Sequence, residues 1–231
     1  VIIGGAAIGS ATAFFLSRDK TFSGSILVIE KDPSYSKCST TLSLASIRQQ
    51  FSTPANILAS AFGIDFIKKA PSEFGRLGDI TFKESGYLIM ASEDGTSALR
   101  ANREIQCSLG AKNVLLSPEE ITQRYPWMSS GGVKLGCLGL SGEGWFDPNS
   151  LLNLYISEAK GHGVDYLAAE VSSLELSDGK VRAVYLTDRR KIPCGCVVNA
   201  AGPAANLIAT MAHQSLPVEP RKRIVYVFDC R

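Results

Sequence analysis

Apolar residues open the chain and set its first fold signal. VIIGGAAIGSATAFFL begins with a three-residue apolar run, turns on small residues, and continues with Ile8, Ala11, Phe15 and Leu16 at helical spacing. SILVIE follows as a short apolar run with no polar alternation, the pattern of a parallel strand covered on both faces. Residues 1 to 31 therefore predict strand, turn, helix and strand, a βαβ unit. The loop DPSYSKCSTTLSLAS after it is long, polar and rich in small residues, and such loops inside compact domains are more often functional than idle.

Farther on, Ile57, Leu58, Phe62, Ile64, Phe66 and Ile67 predict a helix between Pro54 and Phe74. FKESGYLIMAS reads as a strand and the stretch from Thr96 to Gly110 as a second helix. Ser117-Pro-Glu-Glu120 is a capping box with proline at the first helical position. Strands and turns are expected from Gly131 to Gly144. Asp147-Pro148 caps the helix SLLNLYISEAK, which Gly161 and Gly163 terminate. VDYLAAEVSSLEL, the Ser177-Asp-Gly179 turn and VRAVYLTD predict a β-meander, and KIPCGCVVNAAGPAANLIATMA repeats the strand, small-residue turn and helix of the opening. LPVEPRKRIVYVFDCR reads as a strand with an unpaired edge from Ile224 to Phe228. The expected organisation is an α/β domain built around a parallel sheet from residues 1–83 and 148–215. A separate sheet-and-helix lobe is expected over 84–147, continued from 216–231.

Composition narrows the function classes. With 231 residues, 45% hydrophobic and 20% charged, the chain has material for a sizeable core. Its net charge of +2 from 24 basic and 22 acidic residues gives no basic excess, so nucleic acid is not an expected partner. Apolar runs are strand-sized, and no membrane span is expected. Six cysteines in a chain this large suggest reduced thiols rather than disulfide staples. Cys194 and Cys196 form the only close pair, with no His/Cys cluster beside them, so no metal site is expected. Cys230, in the last strand, reads as a packing residue.

The chemistry lies in the opening unit. Gly4, Ala6 and Gly9 occupy the key places of G-x-G-x-x-G, within the turn Gly4, Gly5, Ala6, Ala7, Ile8, Gly9. The first position makes the tight turn, the second lets the backbone approach a pyrophosphate, and the third lets helix pack on strand. Ala6 departs from the usual glycine and predicts weakened but not abolished binding. Glu30 ends the second strand about twenty residues on, followed by Lys31, where a carboxylate can accept hydrogen bonds from ribose hydroxyls. These features point to a dinucleotide with an ADP half and do not separate NAD from FAD.

VIIGGAAIGSATAFFL, CSTTLSLASIRQQFS, EGWFDPNSLL and VVNAAGPAA, in this order, resemble the FAD-dependent amine and amino-acid oxidoreductases of the D-amino-acid oxidase superfamily. STTLSLASIRQQFSTPANI is most similar to the sarcosine and dimethylglycine dehydrogenase branch and to the FAD-dependent oxidoreductase domain-containing protein 1 group. The resemblance implies FAD, held by a Rossmann-like, glutathione-reductase-like domain interleaved with an incomplete α+β substrate domain. It implies that Ser39 and Thr40 contact the pyrophosphate or ribityl chain and that Ser46, Ile47, Arg48 and Gln49 lie beside the isoalloxazine ring. Val171 would present its backbone to adenine, and Ala200, Ala201 and Gly202 would approach the flavin side. Taken singly and without the resemblance, Arg48 reads as a surface cation and Ala200–Gly202 as a plain start to a helix.

Hydride transfer to flavin builds negative charge at its N1/C2 carbonyl side, which a nearby cation stabilises. Arg48 is the catalytic candidate, facing either that charge or a substrate carboxylate. The implied activity is oxidation of a C–N bond in a secondary amine or N-methyl amino acid, sarcosine- or dimethylglycine-like, with oxygen or an electron-transfer protein as acceptor. The alternative is a flavin-stabilised assembly or chaperone-like protein with little turnover. The cytoplasm or the mitochondrial matrix is the expected compartment. In families of this type the chain continues past LPVEPRKRIVYVFDCR, so the 231 residues are expected to be an inactive fragment of a longer protein.

Overall fold

A computed structural model describes residues 1–226 and Asp229. Along the chain the elements begin with β1 (Ile2–Ile3), α1 (Ala7–Arg18), β2 (Leu27–Glu30), β3 (Ser46–Ile47), α2 (Pro54–Phe74) and β4 (Leu88–Ala91). There follow α3 (Thr96–Ser108), β5 (Asn113–Leu116), α4 (Pro118–Arg124), β6 (Leu135–Gly139), β7 (Gly144–Trp145) and α5 (Pro148–Gly161). The last elements are β8 (Asp165–Ala168), β9 (Val171–Ser177), β10 (Lys180–Leu186), β11 (Lys191–Pro193), β12 (Val198–Asn199) and α6 (Ala205–Met211). Packing divides them into two compact units, Val1–Leu42 with Leu152–Arg231, and Ser43–Leu151. Residues 43–83, grouped by element type with the opening unit, pack in the second of these.

The first unit is built on a parallel sheet in the order β12-β1-β2-β8. Two-residue β1 suffices because its side chains serve both faces. Ile2 packs with Ala13, Ile26, Val28, Ala159 and Val164, beneath α1 and α5, while Ile3 packs with Ile29, Val171, Val184, Leu186 and Ile208. Each such fully buried aliphatic side chain contributes roughly 1.5–3 kcal/mol. Cys196–Val198, expected in the same sheet as Ile26–Ile29, reaches it through β12. VDYLAAEVSSLEL does not enter the meander whole: Asp165–Ala168 joins the parallel sheet, and only Val171–Ser177 pairs antiparallel with β10.

Helix α1 also corrects the sequence pattern. Gly9, Ser10, Ala13 and Phe14 form its buried stripe, whereas Ile8 is 71% exposed and Phe15 42%. The helix carries apolar residues on both sides, so periodicity alone selected the wrong one.

In the second unit β4-β6-β5 form an antiparallel sheet, and β3 pairs with β7 in a short ribbon. All of β6 is buried. Leu99 of α3 covers Leu135 and Cys137, and Ile121 of α4 covers Leu116 and Leu138. The capping box of α4 forms as read: the Ser117 hydroxyl accepts the Glu120 N–H at 3.2 Å, and the Glu120 carboxylate accepts the Ser117 N–H at 2.6 Å. Asp147 caps α5 by accepting the Asn149 and Ser150 N–H groups. The Ser150 hydroxyl, more than those N–H groups, holds its carboxyl below the ordinary range. After α6, Ile224, Val225 and Tyr226 carry no strand, in contrast to the expected one. A strand requires a partner ladder, and no described residue supplies one here. Val227, Phe228 and Cys230 lie outside the described residues.

Candidate functional site

The site is assembled from the turn between β1 and α1. Gly4 donates to the Ile29 carbonyl at 2.9 Å and adopts φ +98°, a left-handed conformation open to glycine at no steric cost. At Gly9 the reason for glycine is contact, since a methyl group there would overlap the Gly4 carbonyl. The helix thus sits directly on the turn. Its N-cap residue, Ala6, offers no side-chain acceptor. Ala7 donates to the Thr40 hydroxyl at 3.2 Å, and the other early N–H groups of α1 have no intrahelical carbonyl to meet.

Gly5 is clamped through both of its backbone polar groups. Its N–H donates to Glu30 Oε2 at 2.7 Å, and its carbonyl accepts the Ser10 hydroxyl, which in turn receives the Tyr166 hydroxyl at 3.1 Å. The other oxygen of Glu30 accepts the Asp32 N–H at 2.8 Å. The carboxylate is thereby fixed at the end of β2. Tyr35 lies beside it, and burial, then the Glu30 charge, push the phenol's ionisation up.

Around this turn lies a cavity of about 530 Å³. Gly4, Ala6, Ala7 and Ile8 line it from the turn, Glu30 and Lys31 from the end of β2, and Ser39 and Thr40 from the polar loop. Val171, Ala200, Ala201 and Gly202 complete the predicted set there, with Ile29, Leu207, Ile208 and Met211 as apolar wall. Gly5 and Gly9 lie buried behind the lining. Lys37, Cys38 and Glu170 also line the cavity and Ser10 and Tyr166 brace it, all unread from the sequence. A serine following Gly9 was the only local signal; Tyr166 had none.

Ser46, Ile47, Arg48 and Gln49 belong to the second compact unit. Arg48 is half-buried rather than a plain surface cation. Its guanidinium lies over the rings of Phe51, at 4.8 Å, and Tyr87, at 5.8 Å, and its Nε is buried with no hydrogen-bond partner among the described residues.

The first-unit cavity fits an ADP-containing dinucleotide. It combines helix N-terminal N–H groups and lysines that could meet a pyrophosphate, a fixed carboxylate that could accept from ribose hydroxyls, and an apolar wall that could take a base. Among the described residues, no group of three or more His, Cys, Asp or Glu is placed to hold a metal. Cys38, Cys107, Cys137, Cys194 and Cys196 are free thiols, and no described helix is long and apolar enough to cross a membrane.

Residues 1–231 match the family described as FAD dependent oxidoreductase, DAO. The chain belongs to that family. FAD is the family's cofactor, and the cavity's donor set is suited to it. The chain is 34% identical over 265 residues to FAD-dependent oxidoreductase domain-containing protein 1 of Xenopus laevis, covering 100% of this chain and 53% of that protein. For the Bos taurus protein of the same name the identity is 36%, covering 100% and 54%. The chain thus spans about half the length of the curated relatives it matches. Among solved structures it resembles L-proline dehydrogenase from P. horikoshii, with TM-score 0.79 and 29% identity, over 92% of this chain and 55% of that one. Glycine oxidase from Bacillus cereus shares the fold, with TM-score 0.71 and 22% identity, over 90% and 56%.

Proposed function

We propose that the chain forms the FAD-holding part of an oxidoreductase acting on the C–N bond of a secondary amine or N-methyl amino acid, sarcosine- or dimethylglycine-like. The observation that carries this reading is the convergence, on one cavity, of the glycine turn, Glu30, the Ser39–Thr40 loop, Val171 and Ala200–Gly202. Amino-acid oxidoreduction also figures in the names of the proline dehydrogenase and glycine oxidase that share the fold.

When bound, FAD supplies a two-electron acceptor for a hydride from the carbon next to the amine nitrogen. Glu30, oriented by Gly5 and Asp32, receives the adenosine ribose hydroxyls. The first turn of α1 and the Thr40 hydroxyl face the pyrophosphate, and Lys31 and Lys37 add positive charge at the rim. The Val171 backbone borders adenine. The resemblance assigns Ser46, Ile47, Arg48 and Gln49 of the second unit to the neighbourhood of the flavin ring, where the Arg48 guanidinium would offset negative charge or pair with a substrate carboxylate. No strong base is required, because a neutral secondary amine can lose hydride directly.

The test is anaerobic mixing of the full-length, FAD-loaded protein with sarcosine, dimethylglycine and proline. Bleaching of the flavin absorbance by an N-methyl amino acid is the expected result. A protein that retains FAD yet is bleached by none of the three would refute the amine-oxidation reading and favour a flavin-stabilised assembly protein.

A further inference from the structure

The second compact unit encloses a carboxylate that the proposed chemistry does not use. Glu143, in the turn between β6 and β7, is 0% exposed. It is met by N–H donors rather than by a cation. Oε1 accepts the Gln49 backbone N–H at 2.8 Å, and Oε2 accepts one hydrogen of the Gln50 side-chain amide at 2.9 Å. The second hydrogen of that amide goes to the Tyr87 carbonyl at 2.9 Å, while the Glu143 carbonyl accepts the Gly86 N–H at 3.0 Å. The Glu143 and Gln50 side chains together therefore tie residues 49 and 50 to the β6–β7 turn and to the backbone before β4.

The surroundings are shaped to this group. A methyl group on Gly139 would overlap the Glu143 carboxylate, so the strand end is kept bare where the carboxylate lies. Gln50 is buried and its Oε1 has no partner among the described residues, which gives the amide a spare acceptor should Glu143 carry a proton. Arg48 precedes this clamp directly. Its carbonyl accepts the Ser60 hydroxyl and its guanidinium rests on Phe51 and Tyr87, so its direction is set by two rings and by the peptide that Glu143 holds.

We propose that Glu143 is the positioning residue of the Arg48–Gln50 segment, its buried carboxylate fixing the Gln49 peptide and the Gln50 amide and thereby the direction in which Arg48 is presented. Any effect on bound flavin rests on the reading of Arg48 and Gln49 as neighbours of the flavin ring. Burial pushes the Glu143 carboxyl up against the pull of its donors. Cys137 on β6 is raised to about 11 by burial and then by the Glu143 charge, with Cys107 and Arg103 of α3 acting on the same thiol. Glu84, paired with Lys68, takes the Gly142 N–H of the same turn.

The experiment follows the Gln49 amide and the Glu143 carboxyl carbon by NMR in the full-length protein, with labelled glutamine and glutamate. In the unmodified protein the Gln49 amide proton is expected to shift with pH on the midpoint of the Glu143 carboxyl. Glu143→Gln, which keeps an acceptor oxygen, retains slow exchange of the Gln49 amide. Glu143→Leu accelerates it by about tenfold or more while β5 amides stay protected. With FAD bound, Glu143→Leu shifts the flavin absorbance and Glu143→Gln restores most of it. A Gln49 amide that does not follow the Glu143 titration overturns the proposal, and that measurement needs no variant to fold. Accelerated exchange with an unchanged flavin spectrum leaves the Glu143 clamp standing and overturns the flavin-neighbour reading of Arg48 and Gln49.

Discussion

Glu30 and Glu143 are carboxylates with the same local task and different surroundings. Each accepts a backbone N–H from the segment that follows a short strand, Gly5 at 2.7 Å for one and Gln49 at 2.8 Å for the other. Glu30 stands at the carboxyl end of a parallel strand and lines a cavity. One N–H on each oxygen leaves lone pairs for a ligand, and crevices beyond the carboxyl ends of such strands are where α/β sheets bind ligands. Glu143 also takes one N–H on each oxygen, but it is fully buried. What separates a carboxylate able to meet a ligand from an enclosed one is therefore the exposure of the lone pairs that the N–H donors leave over.

The sharpest way to separate the two regions is to fill the space at their glycines. Gly9→Ala drives a methyl group into the Gly4 carbonyl, where only backbone can yield. The expected loss is about 3 kcal/mol, near the top of the usual range for overpacking, or roughly 6–12 °C in Tm for a chain of this size. FAD retention should fall with it. Gly139→Ala collides with the Glu143 carboxylate instead. It should lower Tm while FAD titration of the folded fraction changes far less. Equal loss of FAD binding in both variants would erase the distinction.

Next in size is Glu30→Ala. Removing a carboxylate that accepts hydrogen bonds from a ligand should weaken FAD binding by about 1.5–3 kcal/mol. Fluorescence titration reads it directly, and unchanged affinity would make Glu30 a turn clamp like Glu143.

These two effects also mark where the sequence was readable. Gly9 and Glu30 announce themselves because their roles are set within one βαβ unit, by spacing from a glycine turn. The capping box of α4 was legible for the same reason. Tyr166 reaches Ser10 across 156 positions and Glu143 reaches Gln49 across 94, so nothing in the neighbouring sequence indicates either contact. VDYLAAEVSSLEL reads as one strand-forming run, yet pairing with β2 captures its first half and pairing with β10 its second. Tertiary partners decided that division, and local pattern could not.

Glu143 predicts a pH dependence of definite sign. Its folded-state pKa is raised by burial, so between the ordinary glutamate value of about 4.3 and that raised value the native state holds more protons than the unfolded one. Stability should fall as pH rises through this window. Asp147, held low by Ser150, acts below the ordinary aspartate value, where its contribution is lost as pH falls. Thermal melts from pH 4 to 8 should show the fall in the parent chain and its flattening in Glu143→Gln. A parent whose stability rises throughout that range would contradict the assigned direction.

The smallest expected effect returns to Ala6. The residue lines the cavity at φ −71° and ψ −163°, a conformation alanine adopts without strain, so the fold does not require glycine here. The side with a reason to prefer glycine is the ligand's, because a methyl group stands where backbone must approach the pyrophosphate. Ala6→Gly should therefore tighten FAD binding. Glycine also widens the unfolded ensemble, at a cost of about 0.4–1 kcal/mol to the ligand-free protein. Affinity and ligand-free Tm should move in opposite directions, which a stability change alone does not produce. Flavin titration beside a melt of the apoprotein checks both signs, and an affinity that is unchanged or lower in Ala6→Gly would show that the pyrophosphate does not pass over this residue.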